Sequence, residues 1–476
     1  MGIPSYFSYI LKNHKQIIKE LYTIKYQYLY IDSNSIIYEN IDKEGNIYKN
    51  ILDSIYIIIE KINPKKTFVC FDGVAPLAKL KQQKQRRYKS WLTKEILNNN
   101  SSFNSNCITP GTIFMQNLNE YLKEHLDKNI ILNDSSICGE GEYKIFDYIR
   151  KNNENVNHIV YGLDADLIML GLLQYPKKIY LYRETKHFSY LKHIQEHKEY
   201  TLQLDLLGLQ ISKLLDDPDI HNSIENYCFL CFLCGNDFLP HNPSINIRNN
   251  GIDYLLDKYK KNVKYIIKDS EISWRQLYIL FNELSIYETQ MIYKQLEWKK
   301  TKNIHKISAE DRLNCLPLMD TEHENYIYQF PNKYNEILFN QKNDDSICKN
   351  YLEMLEWTWK YYNGLSIDYN LFYKMNYVPK FESLKKHIPC FDESLLNETN
   401  IKYVHPITQL IFVLPYRDFN LIPKINIDEL IKTFPELTEI NFDIQYSFCH
   451  FFWESYVDFH YIDILKLEHY VRAHLE

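Results

Sequence analysis

Three separated stretches, Tyr28-Leu-Tyr-Ile-Asp32, Thr67-Phe-Val-Cys-Phe-Asp72 and His158-Ile-Val-Tyr-Gly-Leu-Asp164, are short, apolar and end in an aspartate. Their length and β-branched or aromatic content suit buried strands, and helical stretches lie between them. Strands joined by helices become parallel neighbours, so their carboxyl ends share one sheet edge. The expected fold is therefore α/β, with a mixed, mostly parallel central sheet flanked by helices. Crowding carboxylates at one edge costs electrostatic energy unless a cation sits among them, and a divalent metal is the natural candidate.

At 476 residues the chain is long enough for one large core or two lobes. A net charge of −6 excludes bulk electrostatic attraction to nucleic acid, so any such site must be a local basic patch. No apolar run approaches the ~20 residues needed to cross a bilayer, and no signal-peptide core is evident, so an intracellular protein without membrane attachment is expected. Its ten scattered cysteines then read as reduced thiols. Tyrosine and asparagine are so abundant that scattered copies carry little information, whereas glycine is rare. Gly73, Gly139, Gly141, Gly162 and Gly235 all lie within two residues of a candidate acidic ligand.

Strand and helix alternate through the first half of the chain. Residues 1–300 are expected to form the catalytic domain, 301–321 a polar linker, and 322–476 a mainly helical lobe that completes the active site. Amphipathic helices are predicted over 52–63, 117–126 and Trp274 to about Lys300, and a polar loop over 96–106. Cys228, Cys231 and Cys234 imitate a metal motif, but Phe and Leu fill the gaps, so the spacing reads as a core helix face. His187, His193 and His197 lie in a polar stretch and read as surface residues.

Four more acids join the strand-end aspartates. Glu140 and Glu142 open a helix in Gly139-Glu-Gly-Glu142, Asp166 follows Asp164 by two residues, and Asp237 lies just past an apolar helix with Gly235 as its cap. An oxygen-only donor set favours Mg²⁺ or Mn²⁺ over Zn²⁺. Seven carboxylates exceed the needs of one ion, and two ions suit in-line phosphodiester hydrolysis.

Directly after Asp72, the segment from Lys79 to Lys89 carries six basic residues and no acid. On a helix, Lys79, Gln83, Arg86 and Arg87 fall on one stripe, able to clamp a terminal phosphate. An acidic pocket would repel a polyanion without metals and such an anchor beside it.

These residues bring a known family into view. Leu29-Tyr-Ile-Asp-Ser-Asn-Ser-Ile-Ile37, Asp72 through Arg87, Asn106-Cys-Ile-Thr-Pro-Gly-Thr112, Gly139-Glu-Gly-Glu-Tyr-Lys-Ile145, Tyr161 through Leu170 and Gly235-Asn-Asp-Phe-Leu-Pro-His241 closely resemble the Xrn-type 5′→3′ exoribonucleases, as does the Met-Gly-Ile-Pro start. The resemblance continues through Tyr361-Tyr-Asn-Gly364 and Leu410 to Pro415. It implies a PIN/flap-nuclease-like fold and a minimal catalytic core. It also implies processive, divalent-metal-dependent hydrolysis of single-stranded RNA bearing a 5′-monophosphate, with nucleoside monophosphates released and capped or triphosphate ends excluded.

The resemblance places the metal-binding acids on Asp32, Asp72, Glu140, Glu142, Asp164, Asp166 and Asp237, and the 5′-phosphate pocket on Lys79, Gln83, Arg86 and Arg87. Departures fall on base stacking. Tyr38 stands where the family has a histidine, and the downstream stacking tryptophan is missing from Leu365 to Tyr373, where Tyr369 or Phe372 could substitute. Turnover of decapped mRNA by a cytoplasmic monomer is the expected role, with the nucleus the alternative location. A structure-specific DNA flap or exonuclease and a catalytically inactive RNA-binding scaffold are the rival readings.

Overall fold

Alternation along the central strands sorts their side chains onto two covered faces. In a computed structural model of the chain, which describes all residues except 1, 4, 98–102, 189–194, 196, 303–307, 398–401, 440–442, 461 and 476, Tyr28, Tyr30, Phe68 and Val160 join one core. Leu29, Ile31, Val69, Ile159 and Tyr161 join the other. Burial on both faces is what near-continuous apolar strands require.

The strands are β1 (Ile18–Glu20), β2 (Tyr28–Asp32), β3 (Lys66–Cys70), β4 (Ile130–Asn133), β5 (Asn157–Tyr161), β6 (Lys178–Arg183) and β7 (Tyr200–Gln203), in the order β1-β7-β6-β5-β2-β3-β4. The run β6-β5-β2-β3-β4 is parallel, and β7 and β1 close one edge antiparallel. The mixed, mostly parallel sheet expected from sequence is therefore present. The three strands tipped by aspartate are adjacent, in the order β5, β2, β3. Between β2 and β5 the strand order changes direction, and the crevice beyond the carboxyl ends at such a point is where ligands bind in open α/β sheets.

Helices cover both faces. Ile47–Ile62 starts from Asn46, whose side chain accepts the Tyr48 and Lys49 amide protons, and Ile113–His125 starts from Thr112, which accepts from Met115. Both begin earlier than periodicity predicts and stop just short of the predicted ends. Trp274–Lys300 has the predicted limits. The three cysteines of the apolar helix Ile220–Phe232 and its exit are buried free thiols, as a core face requires.

The polar stretch 301–321, expected to be a linker, holds two short helices, Ala309–Asn314 and Leu316–Met319. Lys299, just before it in Trp274–Lys300, is buried against Glu324 at 2.6 Å. Residues 303–307 of that stretch lie outside the described residues, as do His193 and 98–102 of the expected loop; the His187 side chain is likewise undescribed.

The C-terminal part is mainly helical. Asp345–Tyr362 packs into the first core. Pro406–Val413 and Ile464–Leu475 form a third core with Val74, Ala75, Leu77 and Leu80. The long basic helix Leu77–Leu97 thus leaves the sheet edge beside Asp72 and packs into the C-terminal lobe.

Candidate active site

Asp32 ends β2, Asp72 lies two residues beyond β3, and Asp164 three beyond β5. Glu142 lies in the first turn of the helix Gly141–Lys151, with Glu140 as the residue before it. Asp166 begins the helix Asp166–Leu172. Asp237 sits on the loop after Gly235, whose φ of +87° turns the chain back so tightly that an added Cβ would meet the His241 backbone at 2.6 Å. Five different segments therefore deliver these acids to one sheet edge. Asp32, Asp72, Glu140, Glu142 and Asp164 line a single cavity of about 590 Å³, and Asp166 and Asp237 lie behind it.

Glycine makes the convergence possible. A Cβ on Gly141 would stand 2.9 Å from an Asp32 carboxylate oxygen, while its backbone N–H donates to Asp72 at 2.7 Å. A Cβ on Gly73 would overlap the Ile137 carbonyl at 1.8 Å.

Electrostatics at the site are under strain. Burial, then Asp72 and Asp164, push the Asp32 carboxyl well above the usual carboxylate range. Burial does the same to Glu142, against the opposing pull of Lys79. Burial followed by Asp237 raises Asp166 to about 7. Lys79 is the buried counter-charge, pairing with Glu140 and, at 2.7 Å, with Asp237. Burial alone would lower its ammonium, but Asp237, Glu140 and Glu142 hold it well above the ordinary lysine range. Burial would likewise raise Asp237, and Lys79 instead keeps it far below.

A hard divalent cation fits these donors. They are all carboxylates, they outnumber the buried counter-charge, and Glu142 Oε2 and Asp166 Oδ1 are buried without a hydrogen-bond partner. Among the described residues, no three side chains already converge at the spacing of a bound ion.

The basic helix forms the facing wall. Lys79, Gln83, Arg86 and Arg87 all line the same cavity. Arg87 donates to Thr109 at 2.9 Å and to Gln83 at 3.3 Å, which fixes its guanidinium. Tyr38, half exposed, stands at the rim. Tyr369 and Phe372 lie elsewhere: Tyr369 stacks on Tyr403 at 4.1 Å between ring centroids, and Phe372 packs between two cores.

Several residues with no role assigned from sequence hold the acids in place. Asn34 donates to Asp72 at 2.6 Å and accepts its N–H at 3.1 Å. Tyr361 donates to Glu140 at 2.6 Å, its ring between Tyr143 and Trp357. The Gly2 N–H donates to Asp237 at 3.0 Å. All three lie inside the segments that carry the family resemblance, but a side chain that orients a ligand leaves no spacing signal of its own.

Two family models match the chain, the XRN 5′-3′ exonuclease N-terminus over residues 1–185 and the Xrn1 helical domain over 217–326. The chain belongs to the Xrn exonuclease family. Similar proteins include 5′-3′ exoribonuclease 1 of Schizosaccharomyces pombe, 30% identical over 69% of this chain and 30% of that protein. The human 5′-3′ exoribonuclease 1 is 26% identical over 89% and 31%. Exoribonuclease 2 of Kluyveromyces lactis is 28% identical over 66% and 41%. The chain thus spans less than half the length of these relatives. Among solved structures, the catalytic core of Rad2 in complex with DNA substrate aligns over 69% of this chain and 86% of that one, at 13% identity and a TM-score of 0.34, too low to carry weight.

Proposed function

We propose that the chain is a 5′→3′ exoribonuclease that degrades single-stranded RNA bearing a 5′-monophosphate to nucleoside monophosphates. The observation that carries this reading is one cavity with walls of opposite sign. Strand-end carboxylates form its floor, and the Lys79, Gln83, Arg86 and Arg87 stripe forms its side. Two divalent ions, Mg²⁺ or Mn²⁺, held by Asp32, Asp72, Glu140, Glu142, Asp164, Asp166 and Asp237, would supply an activated water and charge stabilisation at the leaving oxygen.

The chain's own residues do the rest. Arg86 and Arg87 offer planar forks to the terminal phosphate, and Gln83 holds Arg87 at the angle that presents it. Lys79, paired with Glu140 and Asp237, ties the basic wall to the acids, and with a 5′-phosphate held on that wall the scissile linkage one nucleotide inward would lie toward the carboxylate floor. Tyr38 offers a ring at the rim for the first base. Tyr369, stacked on Tyr403, and Phe372, packed against two cores, are the candidates for the second stacking role. The role proposed with this activity is turnover of decapped mRNA by a cytoplasmic monomer.

The test uses purified protein with 5′-phosphate, 5′-hydroxyl and 5′-triphosphate RNA and DNA, with and without Mg²⁺. Rapid loss of 5′-phosphate RNA alone is expected, abolished by Asp164→Ala with Asp166→Ala. Equal degradation of DNA would instead support a DNA nuclease, activity in excess chelator would remove the metals, and RNA binding without loss would indicate a scaffold.

A further inference from the structure

The basic helix has a second face. Its front stripe looks into the acidic cavity, while Lys81, Gln85 and Lys89, spaced by four, lie on the back. Each of these three is fully committed to backbone. Lys81 donates to the Tyr373 and Met375 carbonyls at 2.9 Å. Gln85 exchanges two hydrogen bonds with Val457 at 2.8 and 2.6 Å, and Lys89 donates to Trp453 at 2.8 Å and Ser455 at 2.6 Å. These bonds tie two C-terminal segments to the helix. A second cavity of about 330 Å³ lies between.

Gln82 shares that face and differs from its neighbours. Both its amide oxygen and its amide nitrogen are buried without a hydrogen-bond partner. Asn236 Nδ2 and His241 Nε2, across the same cavity, are also buried without partners. An unpaired buried polar group costs ~1–3 kcal/mol, so a cluster of them around one void calls for something that pairs with them.

Their chemistry narrows what that is. An amide that both donates and accepts, a second amide donor and an imidazole nitrogen match the edge of a nucleobase and the hydroxyls of a ribose. Phe238, Met375, Trp453 and Tyr456 supply apolar and aromatic wall for a ring. The volume sits at the small end of ligand pockets, enough for one nucleotide and too small for a chain. Arg86 borders this cavity and the acidic one alike, so a phosphate at its guanidinium is within reach from both sides.

We propose that the cavity behind the basic helix binds a nucleoside monophosphate, its phosphate toward Arg86 and its base and ribose against Gln82, Asn236 and His241. Resting on the exoribonuclease reading, this makes the cavity a receiving site for the product cut at the front.

The test is calorimetric titration of adenosine monophosphate, and separately of inorganic phosphate, into wild-type protein, Gln82→Leu and Met375→Trp. The first substitution removes the unpaired amide; the second fills the void, and serves if the first fails to fold. Adenosine monophosphate affinity is expected to fall about tenfold or more in each variant, with phosphate affinity unchanged. Equal affinity in all three proteins, or no binding to wild type, overturns the inference. RNA degradation is scored independently on wild-type protein. A protein that degrades 5′-phosphate RNA yet shows equal nucleotide affinities overturns this inference alone. One that binds the nucleotide through Gln82 but leaves RNA intact overturns the exoribonuclease reading alone.

Discussion

Lys79 is buried beside carboxylates that would otherwise repel one another without compensation. Removing one partner of a buried charge pair costs ~3–5 kcal/mol, because the other charge stays behind. Lys79→Met should therefore lower the melting temperature of the metal-free protein sharply, and Mg²⁺ should restore more of it than it adds to wild type. Thermal scans with and without the ion check this, and an unchanged metal-free melting temperature would remove Lys79 from its role as counter-charge. Gly73 makes a second case at this scale, since a Cβ there overlaps the Ile137 carbonyl beside the site. Gly73→Ala should destabilise by about 2 kcal/mol or more, read as a denaturation midpoint shift. The rarity of glycine made such positions legible in sequence. Asn34 and Tyr361 were not, because their importance lies in whom they touch.

The basic helix is the element whose proposed role follows most directly from its spacing. Lys79, Gln83, Arg86 and Arg87 share a stripe by helical periodicity, and in the fold that stripe faces one cavity. Arg87→Ala should raise KM for 5′-phosphate RNA by about tenfold or more, the loss of one charged hydrogen bond, and change KM for a 5′-hydroxyl RNA far less. Equal changes on both substrates would mean Arg87 serves the fold alone.

Glu288, within Trp274–Lys300, is invisible to such reasoning. It accepts the Phe381 N–H at 2.8 Å at the start of Phe381–His387. Burial raises its carboxyl from 4.5 to about 7. The unfolded chain releases this proton first as pH rises, so the native state loses stability between those two values. Glu288→Gln should leave the melting temperature near pH 4 unchanged and raise it above pH 7, by the equivalent of about 3 kcal/mol. A variant equally stable to wild type across that range would contradict it.

At the scale of the whole molecule, the basic helix is held by both halves of the chain. The start of the basic helix joins a core completed by Leu410, Leu467 and Val471, and its back face is tied to residues 373–375 and 453–457. A chain ending before Val404 should therefore lose cooperative unfolding and RNA degradation together, which calorimetry and the nuclease assay would read; a truncated protein that degrades RNA normally would refute the dependence. Sequence by itself determined the α/β class, the adjacency of the three aspartate-tipped strands, the acid set and the basic stripe. These rest on periodicity and on residue types that short-range geometry fixes. Only tertiary structure decided that the back of the basic helix is tied to two C-terminal segments, that Asn34 and Tyr361 bond the acids, and that Ala309–Asn314 and Leu316–Met319 are helices. Each depends on contacts between residues far apart in the chain, where local spacing carries no information.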